Sequence, residues 1–306
     1  METKGLLDLQ FMMFLLMGTG VFLKKKNIIT GEGRKMLTDL IIDVILPCNI
    51  ITAFAKPFDR EILVSGVQTL AVSIILQLFC TLISAVCYQK VPKKQRMILQ
   101  YGTVCSNAGF LGNPVAEGLY GSTGLLYASI YLIPQRIVMW SAGVSYFTEC
   151  PSRKEVIKKV LKHPCIIAVE IGILLMLTQF QMPAAVSKSI SSLGGCTTAV
   201  TMLFVGTVLA DAGINQMVSK ITVLYSFIRL IAIPMAVMAG CLLFHVDAVA
   251  AGISVVLAAM PAGSTTAILA AKYGGDEAFA TQCIVLTTLL SMAILPVWCV
   301  VLNYFF

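Results

Sequence analysis

Between Ser106 and Gly121 the chain reads SNAGFLGNPVAEGLYG, where two asparagines, four glycines, a proline and a glutamate interrupt an apolar run. A second interruption, AAMPAGSTTAILAAKYGG, lies at 258–275. Neither carries the groups of an enzyme: no HExxH, no GxSxG nucleophile elbow and no paired intramembrane catalytic aspartates occur. They offer amides, hydroxyls and backbone N–H groups freed from helical bonding. Asn113 before Pro114 is a helix-start signature, because asparagine caps and proline at the first position loses no bond. Gly109 or Gly112 can take the left-handed backbone that ends the preceding piece. One helix is therefore expected to stop near Asn107–Gly109 and another to start near Asn113. In the second run Pro261 removes a donor and disfavours helix at Met260. Gly263 loosens the chain, and Ser264, Thr265 or Thr266 can cap the next half-helix. Each break leaves backbone groups that cost several kcal/mol if unpaired in hydrocarbon. Breaks of this kind make sites, since half-helix N-termini attract an anion.

Other polar residues stand inside apolar stretches. Arg136 and Arg229 are the strong cations there, and such charges default to a functional role. Arg136 is expected to help bind an anion. Arg229 either contributes to the substrate field or is held by pairing or snorkelling. Glu117, read as lying in the first turn of the restarted helix, can pair with an arginine, carry a coupling proton or be solvated. Asp39 and Asp43 are one turn apart; Asp39 is expected to face basic residues at the interface and Asp43 to line an aqueous cleft. Asn49, just after Pro47, is a further contribution to the cavity. Glu170 has no evident partner.

The elements that must position these residues follow from composition. Of 306 residues 58% are hydrophobic and 12% charged, with a mean hydropathy of +0.89, whereas a soluble chain carries about 25% charged residues. Stretches of the ~20 residues needed to cross a bilayer fall at about 6–23, 36–55, 62–88, 98–119, 123–147, 164–181, 187–210, 221–244, 248–271 and 277–304, ten in all. The first is expected to be a retained span rather than a secretory leader, since Lys24, Lys25 and Lys26 come after it. With the amino terminus outside, sixteen Lys and Arg fall in inner loops and four outside, which the positive-inside rule favours, and both termini then face outward. The basic link Arg153–Lys162 accordingly reads as a cytoplasmic, headgroup-facing segment rather than a nucleic-acid surface. The cysteines are scattered singly and the two histidines, His163 and His245, are far apart, so neither a disulfide framework nor a metal site is expected.

Five spans on each side of that link force two halves of opposite orientation, residues 1–148 and 164–306 joined by 149–163. Inverted repeats of this type place a site at the midplane where discontinuous helices meet. Tyr120-Gly121 closes span four and Tyr273-Gly274 closes span nine, in matching places. The fold class expected is an all-α membrane protein of ten helices in an inverted five-plus-five repeat, with helices four and nine broken and crossing.

These segments, with VILPCNIITAF and VLKHPCIIAVEIGILL, resemble the auxin efflux carrier family of membrane transporters, in particular its bacterial, malate-permease-like branch. The resemblance implies secondary transport of small organic anions in a bacterial plasma membrane. It also implies a scaffold of spans one, two, six and seven and a transport domain of the other six that moves as an elevator. By motif position Asn107 matches the crossover asparagine and Pro261 the span-nine crossover proline. The chain departs from the plant carriers in lacking their long central loop and in having Ser106 where they carry a crossover proline, which argues against auxin as substrate. The expected substrate-binding set is Asn107, Gly109, Asn113, Pro261, Gly263, Ser264, Thr265, Arg136 and Asn49. Glu117, Arg229 and Asp43 are coupling or charge-pair candidates. No cofactor is expected; the partners are the anion, the lipid bilayer and, as an assembly open to it, a second copy of the chain. A cation/proton antiporter on the same fold is the alternative, disfavoured because the crossover offers amides and hydroxyls rather than carboxylates.

Overall fold

The computed structural model describes residues 3–55, 60–147, 153–210 and 218–305. The regular structure among them is helical: α1 (Thr3–Lys25), α2 (Gly31–Phe54), α3 (Arg60–Cys87), α4 (Lys93–Val104), α5 (Asn113–Val138), α6 (Arg153–Leu161), α7 (Pro164–Thr178), α8 (Ala184–Ala210), α9 (Lys220–Leu243), α10 (Ala248–Ala258), α11 (Thr265–Lys272) and α12 (Glu277–Phe305). Five of these, α2, α3, α8, α9 and α12, are long and apolar enough to cross a membrane, and α7 and α10 are shorter apolar helices.

The polarity of α3 runs opposite to that of a soluble helix. Ser65, Thr69, Ser73, Gln77 and Ser84 are buried, at the three- and four-residue spacing of one helical face. Val67, Ile75, Leu78, Leu82 and Val86 on the other side are exposed. In water that face would be an interaction or aggregation surface; against lipid it is at home. Many of the buried hydroxyls are satisfied at short range. Thr69, Ser129, Thr201, Ser254 and Thr288 each donate to the carbonyl four residues back.

Small residues set the closest helix contacts. A Cβ on Gly206 would overlap the Met17 carbonyl oxygen, and one on Gly20 the Leu203 carbonyl oxygen, so α1 and α8 meet backbone to backbone. Gly172 of α7 lies against the Phe54 ring, and Gly194 of α8 against the backbone of Cys48 and Asn49 in α2. α3 packs along α5 and α10, and α12 lies beside α9 and α11.

Several helices contain a π turn: Ile41–Ile45 in α2, Ala108–Gly112 leading into α5, Met139–Gly143 after it, and Ile228–Ala232 in α9. The first interruption therefore differs from the expected one. The break lies at Cys105–Asn107, and helix resumes at Ala108 rather than at Asn113. Asn113 has right-handed helical angles (φ −58, ψ −50), makes no cap and is wholly buried. Gly109 and Gly112 do not have positive φ; among the described residues the glycines that do, Gly121 (φ 61, ψ −152, a kink within α5) and Gly274 (φ 72), come directly after the two tyrosines and end the restarted pieces. Glu117 consequently lies nine residues into its helical piece, beyond the reach of its N-terminal dipole.

Candidate functional site

Where the two interruptions meet, Cys105–Asn107 and Pro261–Gly263 run antiparallel with Ser106 opposite Ala262. Asn107 N–H donates to the Pro261 carbonyl at 2.8 Å and Gly263 N–H to the Cys105 carbonyl at 3.2 Å. In this pairing the groups of the central residues point outward, and side chains receive them. The Gln135 amide donates to the Ser106 carbonyl at 2.8 Å and accepts from the Ser106 hydroxyl at 3.0 Å. Ala262 N–H donates to Thr287 Oγ1 at 3.2 Å. Broken backbone at this depth is tolerated because these groups have partners.

Arg229 completes the arrangement. Its Nε donates to the Met260 carbonyl at 3.0 Å and a terminal nitrogen to the Thr103 carbonyl at 3.1 Å. Those carbonyls stand at the ends of the pieces that precede the two breaks, where the helix dipole is negative. Arg229 is thus held by pairing, with backbone as the partner. It stays in the interior at 3% exposure rather than snorkelling.

The restarted pieces point their positive ends elsewhere. Asn107, Gly109, Phe110, Gly263, Ser264 and Thr265 line a cavity of about 100 Å³, together with Gln135, Arg136 and His163. Since roughly 10–15 Å³ holds one water, this volume suits several waters or a small polar solute. Arg136 is 6% exposed, and its Nη1 has no hydrogen-bond partner. No residue described as lining the cavity is acidic. The Tyr101 hydroxyl steadies one wall by donating to Thr265 Oγ1 at 3.0 Å. His163 precedes α7 and accepts from Cys165 N–H on Nδ1 at 3.3 Å. Burial, and then the charge of Arg136, push its pKa down to about 4. Ser264 also lines a larger cavity of about 660 Å³, whose other walls include Arg34, Lys35, Thr38, Asp39, Glu277 and Thr281. Asp39 shares that lining with Arg34 and Lys35.

The structure gathers Asn107, Gly109, Gly263, Ser264, Thr265 and Arg136 at one place and leaves out three others. Asn49 donates to Glu117 at 3.2 Å, so that carboxylate's partner is an amide, not an arginine. Pro261 contributes its carbonyl to the crossing, not its ring to the cavity. Asn113 is buried with both side-chain polar atoms unpartnered, as is the hydroxyl of Thr266. Asp43 is exposed in the π turn of α2, while its neighbours Ile42 and Leu46 line the cavity. Glu170 is exposed on α7. Sequence reasoning missed Gln135, Tyr101 and His163; an amide one residue before an intramembrane arginine was the available signal for the first.

The family model described as "Membrane transport protein" matches residues 9–159 and 151–299. The chain belongs to this auxin efflux carrier-type membrane transport family. Relatives of this family member span nearly its whole length. An uncharacterized transporter of Methanothermobacter thermautotrophicus is 25% identical over 92% of this chain and 94% of its own. One from Methanocaldococcus jannaschii is 22% identical over 95% and 97%. The uncharacterized transporter YfdV of Escherichia coli is 20% identical over 93% of each. The chain is therefore an integral membrane transporter.

Proposed function

We propose that this transporter is a secondary carrier of small organic anions, carboxylates above all, with the crossover cavity as its binding site. One observation carries the reading: the guanidinium of Arg136 is buried at the positive ends of two half-helices, has an unpartnered Nη1 and faces no lining acid. A buried cation with donors left unpaired is costly, and a carboxylate accepts paired N–H bonds from it. The amide of Asn107 and the hydroxyls of Ser264 and Thr265 supply further donors. The cavity's lack of acidic residues counts against the cation/proton exchange reading, which needs carboxylates at the crossover.

In this reading the ten spans form two inverted halves, α1, α2, α7 and α8 serve as scaffold, and the remaining helices carry the site as an elevator. Under the positive-inside rule the larger cavity, flanked by Arg34 and Lys35, is the cytoplasmic vestibule of an inward-open state.

The test is uptake of labelled malate and a panel of organic anions into proteoliposomes. Loss of charge-assisted bonds worth about 1.5–3 kcal/mol each predicts that Arg136→Gln weakens apparent affinity by about 10–100-fold. If wild type moves no more anion than an Asn107→Ala, Pro261→Ala double variant, the reading fails. Flux driven by a sodium or pH jump without organic anion would support the exchanger instead.

A further inference from the structure

His163 belongs by sequence to a basic link, yet it lines the crossover cavity with Arg136. Its Nδ1 is occupied by the Cys165 N–H, so the neutral ring carries its hydrogen on Nε2. The charged and titratable groups around it are few. Arg136 comes from α5 and acts on it directly. Cys165 stands at the start of α7, and Asp43 from α2 acts on that thiol. Lys162, next in the chain, is exposed. None of the carboxylates lines the cavity.

We propose that the cavity takes up its anion together with one proton, that His163 is the proton's acceptor, and that the carrier is therefore a proton–anion symporter. This rests on the anion reading above. In the empty site, burial and the neighbouring guanidinium keep the imidazole neutral, with a pKa of about 4. The start of α7 adds its positive end to the same effect. An anion beside Arg136 cancels that field and gives an imidazolium a counter-charge, so the ring becomes more basic once the site is filled. The proton comes from water and enters on Nδ1, where it displaces the Cys165 N–H. No bond in the anion is made or broken. One anion and one proton enter together, and with a monoanion the filled site carries the same net charge as the empty one.

The sign comes from linkage. A group whose pKa rises on binding makes binding tighter as pH falls through the filled-site value, and the gain levels off near the empty-site value of about 4. Between the two, affinity improves by up to about tenfold per pH unit.

The experiment uses the purified full-length protein with malate as probe. A His245→Asn background leaves His163 as the sole histidine, and imidazole NMR between pH 4.5 and 7.5 reads its protonation with and without malate. Calorimetry in buffers of different ionisation heat counts the protons absorbed, and subtracting the count for His163→Gln removes malate's own titration. The expected result is conversion of His163 to imidazolium on malate addition, with wild type absorbing up to one proton more than His163→Gln. If malate binds, and Arg136→Gln abolishes that binding, while His163 stays neutral across the range, the symport proposal is overturned and the anion site stands. If wild type binds no malate, both fall. Should His163→Gln not fold, the NMR titration alone decides, because it leaves the cavity intact.

Discussion

Replacing Arg229 by methionine tests the account of how two broken helices survive in the interior. The substitution keeps a long apolar stem and removes the donors to the Met260 and Thr103 carbonyls. Each carbonyl left buried and unpaired costs about 1–3 kcal/mol, so the pair costs about 2–6 kcal/mol. Against this stands the relief of no longer burying a guanidinium, which in other proteins has made such replacements neutral or stabilising. The deciding point is that the two carbonyls lie at the end of one helix and just beyond the end of another, neither of which continues, so removing the guanidinium leaves them without a donor. We expect Arg229→Met to lose about 2–6 kcal/mol and Arg229→Lys, able to reach one carbonyl well, to lose about half. Trp298 donates to the Leu230 carbonyl at 2.9 Å, next to Arg229, so its fluorescence reports on the site once Trp140 is replaced by phenylalanine. Denaturant titration in mixed micelles, read at Trp298, gives the free energies. A methionine variant as stable as wild type would show that desolvation of the guanidinium outweighs the capping, and the argument would be wrong.

Gln135→Leu should strand the Ser106 carbonyl and hydroxyl and lower stability by about 2–4 kcal/mol in the same titration, with Gln135→Glu recovering part. Gly206→Ala forces a methyl group into the Met17 carbonyl and should cost several kcal/mol or abolish monodisperse protein on size exclusion. Gly18→Ala, with open space around it, should be neutral or stabilising by up to about 1 kcal/mol; equal effects at both positions would refute the close-approach account. Gly274→Ala must place an L-residue at φ 72 and should lower the unfolding free energy by about 1–2 kcal/mol, whereas Gly274→Asn should recover part of it.

Much of this site was legible in residue types. The two polar interruptions marked where helix breaks, whereas the Tyr-Gly endings, read as a sign of the repeat, hold the positive-φ glycines expected at Gly109 or Gly112. Arg136, Asn107, Gly109, Gly263, Ser264 and Thr265 converge on one cavity. What stayed hidden depended on partners distant in sequence. Arg229 reaches carbonyls 31 and 126 residues away, and nothing local distinguishes that from a substrate contact. The Asn113-Pro114 signature misled because the helix had already restarted through a π turn, after which proline needs no cap. His163 was hidden for a related reason: a basic link reads as solvated, and only packing shows which of its residues turns inward.

The π turns have a consequence for how this protein can change. Each holds one more residue than the regular helix around it, and a single deletion there would restore ordinary geometry. That residue is absorbed within the wide turn, so its loss would leave the flanking segments nearly in register, whereas a residue deleted from regular helix turns everything C-terminal to it by about 100°. The turn Ile228–Ala232 is thus a place where the chain can gain or lose a residue beside Arg229 without turning the rest of its helix away from the crossing. A missing codon elsewhere in the same helix would carry the whole following segment off its contacts.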